Sequence, residues 1–332
     1  MILVTGGLGY IGSHTVVELL SRDYEVIILD NFSNSSPEVV AKIKAISGVE
    51  PLIFEGDIRD VNLLKKIFTD NKISDIIHFA GLKSVAESIK CPLAYYNNNV
   101  IGTLTLIDCA LNFKIKNFIF SSSATVYGNP ETIPLDEHCN TGGTTNPYGT
   151  SKYLVERILQ DIAKAHSELN ITILRYFNPV GAHPSGLIGE SPIGVPNNLM
   201  PFISRVASGK YEYVSVYGND YDTPDGTGVR DFIHVMDLAT GHVAALENQN
   251  REKNLHIYNL GAGVGYSVLD IIRKFEEVNG VKINYKFSER REGDIGECWS
   301  NPSLAFKELK WKATKTLDDM VKDVWKWQKN NP

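Results

Sequence analysis

Tyr148 and Lys152 stand four residues apart in the run Asn146-Pro147-Tyr148-Gly149-Thr150-Ser151-Lys152. Asn146 suits a helix N-cap and Pro147 the first helical position. The spacing then puts the phenol and the ammonium on one helix face. A free tyrosine titrates near about 10 and is a poor base at neutral pH. An adjacent ammonium, joined by any second positive group, favours the phenolate and lowers that value. A tyrosine so tuned can take a hydroxyl proton while hydride leaves the same carbon. Chance places Tyr-x-x-x-Lys on many helices, so the pattern gains weight only from its surroundings. The run Ser121-Ser122-Ser123-Ala124-Thr125-Val126-Tyr127-Gly128 precedes it, directly after a predicted strand.

A hydride needs an acceptor, and the N-terminus offers a site for one. Val4-Thr5-Gly6-Gly7-Leu8-Gly9-Tyr10-Ile11-Gly12 follows an apolar strand and opens a helix. Gly6 permits the tight turn, Gly9 lets the backbone approach a diphosphate, and Gly12 allows close contact between helix and sheet. The helix N-terminus then presents free N–H groups and a partial positive charge to the diphosphate. A second predicted strand ends at Asp30, 18 residues past Gly12. A carboxylate there accepts hydrogen bonds from the adenosine ribose hydroxyls and repels a 2′-phosphate, which favours NAD over NADP.

These residues need a scaffold. Short, β-branched, nearly continuous apolar runs occur at Ile2 to Val4, Val26 to Leu29, Leu52 to Phe54, Ile76 to Phe79, Phe118 to Phe120 and Ile171 to Leu174. Such runs suit strands buried on both faces. Amphipathic stretches lie between them; Leu154, Val155, Ile158, Leu159 and Ile162 fall at helical spacing. Strand and helix in alternation predict an α/β fold with a doubly wound, Rossmann-type parallel sheet. After about Arg175, Gly, Pro and Asn become frequent and the alternation breaks down. The expected division is a cofactor domain over 1–177 and a smaller mixed α/β substrate domain over 178–332. The segment near 229–247 is expected to pack back on the first domain. The tail from Leu317 to Lys329 reads as an amphipathic helix carrying Met320, Val321, Val324 and Trp325 on one side.

Bulk properties exclude several classes. Hydrophobic residues at 43% and charged residues at 22% of 332 belong to a globular chain. A formal net charge of -6 speaks against a nucleic-acid surface. No apolar run of about 18 residues predicts a membrane span. The glycine-interrupted N-terminus lacks the basic start of a signal peptide. Cys91, Cys109, Cys139 and Cys298 show no metal-ligand spacing. The expectation is a cytoplasmic protein with no metal.

The Gly-x-x-Gly-x-x-Gly spacing differs from the usual Gly-x-Gly-x-x-Gly and resembles the extended branch of the short-chain dehydrogenase/reductase superfamily. In that branch an Asp after the third strand holds the adenine amino group, and Asp57 with Ile58 matches; Asp57 alone reads equally as a turn or cap residue. Phe79-Ala80-Gly81 and Lys83 match the stretch lining the cofactor beyond the fourth strand. Ser123 matches the superfamily's catalytic Ser/Thr, which bonds the reacting hydroxyl and helps position the tyrosine. With these, Tyr10, Ile11, Asn31 and Phe177 complete the implied cofactor set.

Longer stretches narrow the resemblance to the UDP-glucose (UDP-galactose) 4-epimerases. They are 77–83, 121–128, 175–186 (Arg-Tyr-Phe-Asn-Pro-Val-Gly-Ala-His-Pro-Ser-Gly), 196–201, 230–237 and 290–294. The resemblance runs from Met1 to Pro332. It implies a bound NAD regenerated each turnover, with Tyr148 removing the 4-OH proton, a 4-keto sugar turning within the site, and hydride returning to its other face. It also implies that Asn178 contacts the substrate near the sugar and diphosphate. Asn198 and Leu199 would line the diphosphate and uridine region, Tyr217 would lie beside uracil, and Asp294 would hold the uridine ribose. Arg230 and Arg291 match arginines that clamp the diphosphate, as guanidinium forks suit phosphate oxygens; read alone, each could be a surface ion pair, Arg230 with Asp231.

Cys298 stands where some epimerases carry a Tyr beside the sugar C2 substituent. A smaller residue there predicts acceptance of UDP-N-acetylglucosamine and UDP-N-acetylgalactosamine; the lesser alternative is that Cys298 is an inert small residue. Three alternatives compete. A sugar-nucleotide 4,6-dehydratase needs carboxylates where this chain has Ala124 and Thr125. A net dehydrogenase would accumulate NADH. A catalytically silent NAD-binding regulator would be expected to lose Tyr148 or Lys152. The family is commonly homodimeric through helices here near Leu93 to Ala110 and Tyr153 to Ala165, whose apolar residues could equally be buried within the monomer.

Overall fold

The structure is a computed structural model that describes every residue except 193, 195, 197, 249–251, 292 and 332. Asn197 and Glu292 of the stretches above therefore lie outside the described residues. The strands in chain order are β1 (Ile2–Thr5), β2 (Val26–Asp30), β3 (Leu52–Glu55), β4 (Asp75–His78), β5 (Asn117–Ser123), β6 (Asn170–Tyr176), β7 (Asn178–Val180), β8 (Val214–Tyr217), β9 (Val229–His234), β10 (Leu255–Leu260), β11 (Gly265–Ser267), β12 (Tyr285–Ser288) and β13 (Glu297–Cys298).

Seven strands form one parallel sheet in the order β10-β6-β5-β4-β1-β2-β3. The alternation of side chains across a strand explains its two covered faces. Val4, Ile28, Ile77, Ile119 and Leu174 pack against Val16, Leu19, Ile43, Leu238 and Val243 on one side. Leu3, Ile27, Ile76, Phe118 and Ile173 pack against Leu64, Ile67, Leu106, Val155 and Leu159 on the other. Each such side chain contributes roughly 1.5–3 kcal/mol by leaving water. The strand order reverses between β1 and β4. Doubly wound sheets bind ligands at such a switch point, beyond the carboxyl ends of the strands.

After Asn178 the chain returns to this sheet twice. Helix Val235–Glu247 packs on helix Tyr10–Leu20 within the same core. Strand β10 then pairs with β6. The sequence reading has no strand there, because Leu255-His256-Ile257-Tyr258-Asn259-Leu260 mixes polar with apolar residues. The polar members are buried with partners: Asn259 accepts from the Tyr127 hydroxyl at 2.7 Å and donates to the Leu135 carbonyl at 3.0 Å.

The remaining strands form two smaller sheets. In one, β9 lies between β11 and β13 and also pairs with β7. Its register sets Cys298 opposite Arg230 and Asn178 opposite Phe232. The other is the pair β8 and β12. Val180 of β7, Phe232 of β9 and Val214 and Val216 of β8 share a core with helix Leu317–Asn330, which buries Met320, Val321 and Val324 as its spacing predicts. Among the described residues, no helix is long and apolar enough to cross a membrane.

Candidate active site

The glycine turn is shaped by what a side chain would strike. Gly6 has φ +68, and a Cβ there would lie 2.7 Å from the Ala80 nitrogen; one on Gly12 would lie 2.2 Å from the Gly6 carbonyl oxygen. Helix Tyr10–Leu20 starts at Gly9, which has no side chain to cap the first turn. Its N-terminus therefore faces the cavity ready for an anion. Asp30, at the end of β2, is buried and accepts from the backbone of Leu8 and Phe32 and from the Ser35 hydroxyl. A carboxylate has about four acceptor positions, so one remains for a ribose hydroxyl. This turn, its uncapped helix and the carboxylate fit the adenosine and diphosphate of a dinucleotide.

The centre of the site rests on β5 and helix Pro147–Ala165. Asn146 caps that helix through the Gly149 N–H at 2.9 Å, with Pro147 in its first turn. Tyr148 and Lys152 both line the cavity. Burial pushes the Tyr148 phenol up, and its hydrogen bond with Ser123 opposes that. The expected lowering by Lys152 is not what the protein alone provides. The Lys152 ammonium is buried and donates to the Ser121 carbonyl at 2.7 Å, which ties one of its three N–H groups to the end of β5. Burial also brings Lys152 itself down to about 8, with Glu156 opposing.

One cavity of about 450 Å³ gathers most of the predicted residues. Its wall includes Gly6, Gly9, Tyr10, Ile11, Gly12, Asp30, Asn31, Ile58, Phe79, Ala80, Gly81 and Lys83. Ser123, Tyr148, Lys152, Phe177, Asn178, Asn198, Arg230, Asp294 and Cys298 complete the predicted part. Four predicted residues are not in that wall. Asp57 is held by Arg59 at 2.7 and 2.8 Å and by Asn31 at 3.2 Å, leaving Ile58 to line the cavity. Leu199 opens helix Leu199–Ala207 and packs toward the core around Val180 and Met200. Tyr217 is 40% exposed. The Arg291 guanidinium lies 4.8 Å from the Tyr217 ring centroid and bonds Asp294 at 2.9 Å, which joins both to the rim through Asp294. Arg230 holds the carbonyls of Ile295 and Gly296 at 2.9 and 3.3 Å and so shapes the segment beside Asp294.

The sequence reading missed Asn98, whose buried Oδ1 has no hydrogen-bond partner among the described residues and which lines the cavity. Its signal was the unusual run Asn97-Asn98-Asn99, which the structure places in a π-helical turn, Tyr96–Ile101; such turns concentrate at functional sites. Glu190 was missed too. Its Oε1 accepts from Lys83 at 3.1 Å and from Asn198 at 2.7 Å, joining two predicted walls. Nothing local in the sequence marks it.

A dinucleotide turn at the switch point and a Ser-Tyr-Lys set sharing one cavity define an extended short-chain dehydrogenase/reductase. Residues 2–261 match the model of the NAD dependent epimerase/dehydratase family. The UDP-glucose 4-epimerase of Haemophilus influenzae is 61% identical over 331 residues, covering 100% of this chain and 98% of that protein. The crystal structure of UDP-glucose 4-epimerase from Bifidobacterium longum in complex with NAD+ and UDP superposes with a TM-score of 0.97 at 51% identity, covering 100% and 98% of the two chains. The UDP-Glc/GlcNAc 4-epimerase of Campylobacter jejuni follows at a TM-score of 0.86 and 36% identity, covering 99% of each. The chain belongs to the NAD dependent epimerase/dehydratase family, among its UDP-glucose 4-epimerases.

Proposed function

We propose that this chain is an NAD-dependent UDP-hexose 4-epimerase that interconverts UDP-glucose and UDP-galactose through a 4-keto sugar. The observation that carries this reading is that Ser123, Tyr148 and Lys152 share one cavity with Asn178, Asn198, Arg230 and Asp294. Bound NAD supplies the hydride acceptor and later donor, and a positive ring that favours a nearby phenolate. Tyr148 takes the 4-OH proton as the C4–H bond breaks, then returns a proton to the 4-oxygen as that bond re-forms on the other face. Ser123 bonds the same oxygen and holds the phenol. Lys152 keeps the end of β5 and the Tyr148 turn together. Arg230, Arg291 and Asp294 anchor the nucleotide end while the hexose turns. Elimination chemistry is disfavoured, because the described wall offers only Asp30 and Asp294 as carboxylates, and Ala124 and Thr125 beside Ser123 have none.

UDP-N-acetylglucosamine and UDP-N-acetylgalactosamine belong to the same proposal. Cys298 lines the cavity as a small side chain, and burial pushes its thiol up to about 11, so it stays neutral and unreactive. The proposed partner is a second copy of the chain. Leu93 is 81% exposed and Ile101 49%, and with Leu154 they line a shallow apolar groove. Light scattering on the wild type and on Leu93→Glu tests this: the wild type should run as a dimer and the variant as a monomer.

The main test is an assay of purified protein on four UDP sugars with no added NAD. Interconversion of each C4 pair without free NADH supports the reading. Stoichiometric NADH release with product would instead establish a net dehydrogenase. Failure on the N-acetylated pair alone removes the wider specificity, and Cys298→Tyr should suppress only that pair.

A further inference from the structure

Three consecutive residues of β5 hold three successive turns of helix Pro147–Ala165. The Ser123 side chain bonds the Tyr148 phenol. The Ser121 carbonyl accepts from Lys152 at 2.7 Å. The Ser122 hydroxyl donates to Glu156 Oε1. Positions 148, 152 and 156 lie four apart and so share one face.

The third contact belongs to a buried ion pair outside the cavity wall. Glu156 and Arg175 are 1% and 2% exposed. Arg175 Nη2 donates to Glu156 Oε2 at 2.8 Å and Nε donates to Oε1 at 3.1 Å. Arg175 Nη1 also donates to the Tyr127 hydroxyl at 3.0 Å, which donates on to Asn259 of β10. Packing alone does not require these charges, since apolar residues of similar volume often replace a buried pair at no loss of stability.

We propose that Glu156, gripped by Arg175 and Ser122, is a positioning residue: it fixes the Lys152 turn on β5 and places a carboxylate charge one turn behind the ammonium. This rests on Tyr148 and Lys152 being the proton-handling pair. Among the described residues, Glu156 on its own helix and His78 on β4 are the titratable groups that act on Lys152, Tyr148 lines the same cavity, and the Phe120 ring lies 4.8 Å from the ammonium. Burial holds His78 down at about 3, so it stays neutral. Burial lowers Lys152, and Glu156 is the charge that opposes this. Loss of Glu156 therefore lets Lys152 shed its proton at lower pH.

The experiment is a pH profile of kcat and KM for epimerisation by the NAD-loaded protein, with Tm and bound NAD measured in parallel. Glu156→Gln should move the alkaline limb to lower pH by about one unit, with KM within about twofold of wild type. The double variant Glu156→Leu with Arg175→Met removes the stranded cation; it should recover Tm yet keep the shifted limb. Ser122→Ala leaves the ion pair intact and should lower kcat about threefold, with Tm lowered by only about 2–4 °C, the cost of one buried hydrogen bond. A wild-type limb and kcat in the double variant would overturn the proposal, as would a Glu156→Gln protein that loses only Tm. If Glu156→Gln does not fold, a wild-type profile in the double variant or in Ser122→Ala overturns it. Tyr148→Phe is the control: near-wild-type activity there would refute the proton-handling pair itself, whatever Glu156 does.

Discussion

The two ends of the cavity are built on different plans. At the dinucleotide end, the walls are strand termini and the turns beside them. Gly6 and Gly12 sit against backbone atoms, Asp30 is held by three donors, and Lys152 is buried against β5. At the sugar-nucleotide end, the walls are loops and short strands. Tyr217 is exposed, and Arg291 spends its charge on Asp294 within its own segment. The first end has little to rearrange when a ligand arrives. At the second, a sugar nucleotide bound as proposed would have to compete with an existing Arg–Asp pair. Anchoring by such groups would cost part of their mutual attraction, which fits the proposed holding of one end of the substrate while the other turns.

The contrast can be broken at its centre first. Tyr148→Phe should lower kcat by about 10² to 10⁴-fold, the range for one acid–base group, with unchanged circular dichroism and retained NAD; a coupled epimerase assay and the absorbance of released cofactor check both. At the rigid end, Gly12→Ala should cost about 1–3 kcal/mol and most of the NAD, because the new Cβ meets the Gly6 carbonyl and the turn cannot yield. Urea unfolding and cofactor content read this, and wild-type NAD content would show that the turn adapts after all. At the adaptable end, Arg291→Ala should raise KM about tenfold at nearly constant kcat, as expected for about 1.4 kcal/mol of uniform binding. A fall in kcat equal to the rise in KM would instead place Arg291 in the reacting geometry.

The smallest expected effect concerns Asp57. Hydrogen bonds from Arg59, then from Asn31, bring its carboxyl down to about 2. A depressed carboxylate contributes stability above its unfolded value of about 3.9 and loses it as pH falls through about 2. The pair is exposed enough for solvent to screen it, so the contribution stays below about 1 kcal/mol. Asp57→Asn should therefore lower the urea midpoint slightly near about pH 6 and leave it unchanged near about pH 2.

What was legible in the sequence follows the same division. The six predicted strands lie inside β1 to β6 but for Phe79, which falls just beyond β4; all but the partly exposed edge strand β3 are covered on both faces and so apolar nearly throughout. The glycine turn and the Asn146-Pro147 helix start were legible because their chemistry is local. Residues that meet through long connections were not. β10 hid behind buried polar residues that have partners only in the folded sheet. Glu190 matters through Lys83 and Asn198, 107 and 8 residues away. The same limit affected Lys152: spacing gave its neighbour on the helix, but only the fold showed that its ammonium goes to the Ser121 carbonyl.

The late return of β10 also bears on how the chain is made. Until residue 260 has left the ribosome, β6 is the bare edge of a six-stranded sheet, its N–H and C=O groups open to any passing strand. Some eighty residues of loops, short sheets and helices must be synthesised while that edge waits. The nascent chain thus passes through a window in which a neighbouring copy, rather than its own later segment, can complete the sheet, the kind of misassembly that open strand edges invite.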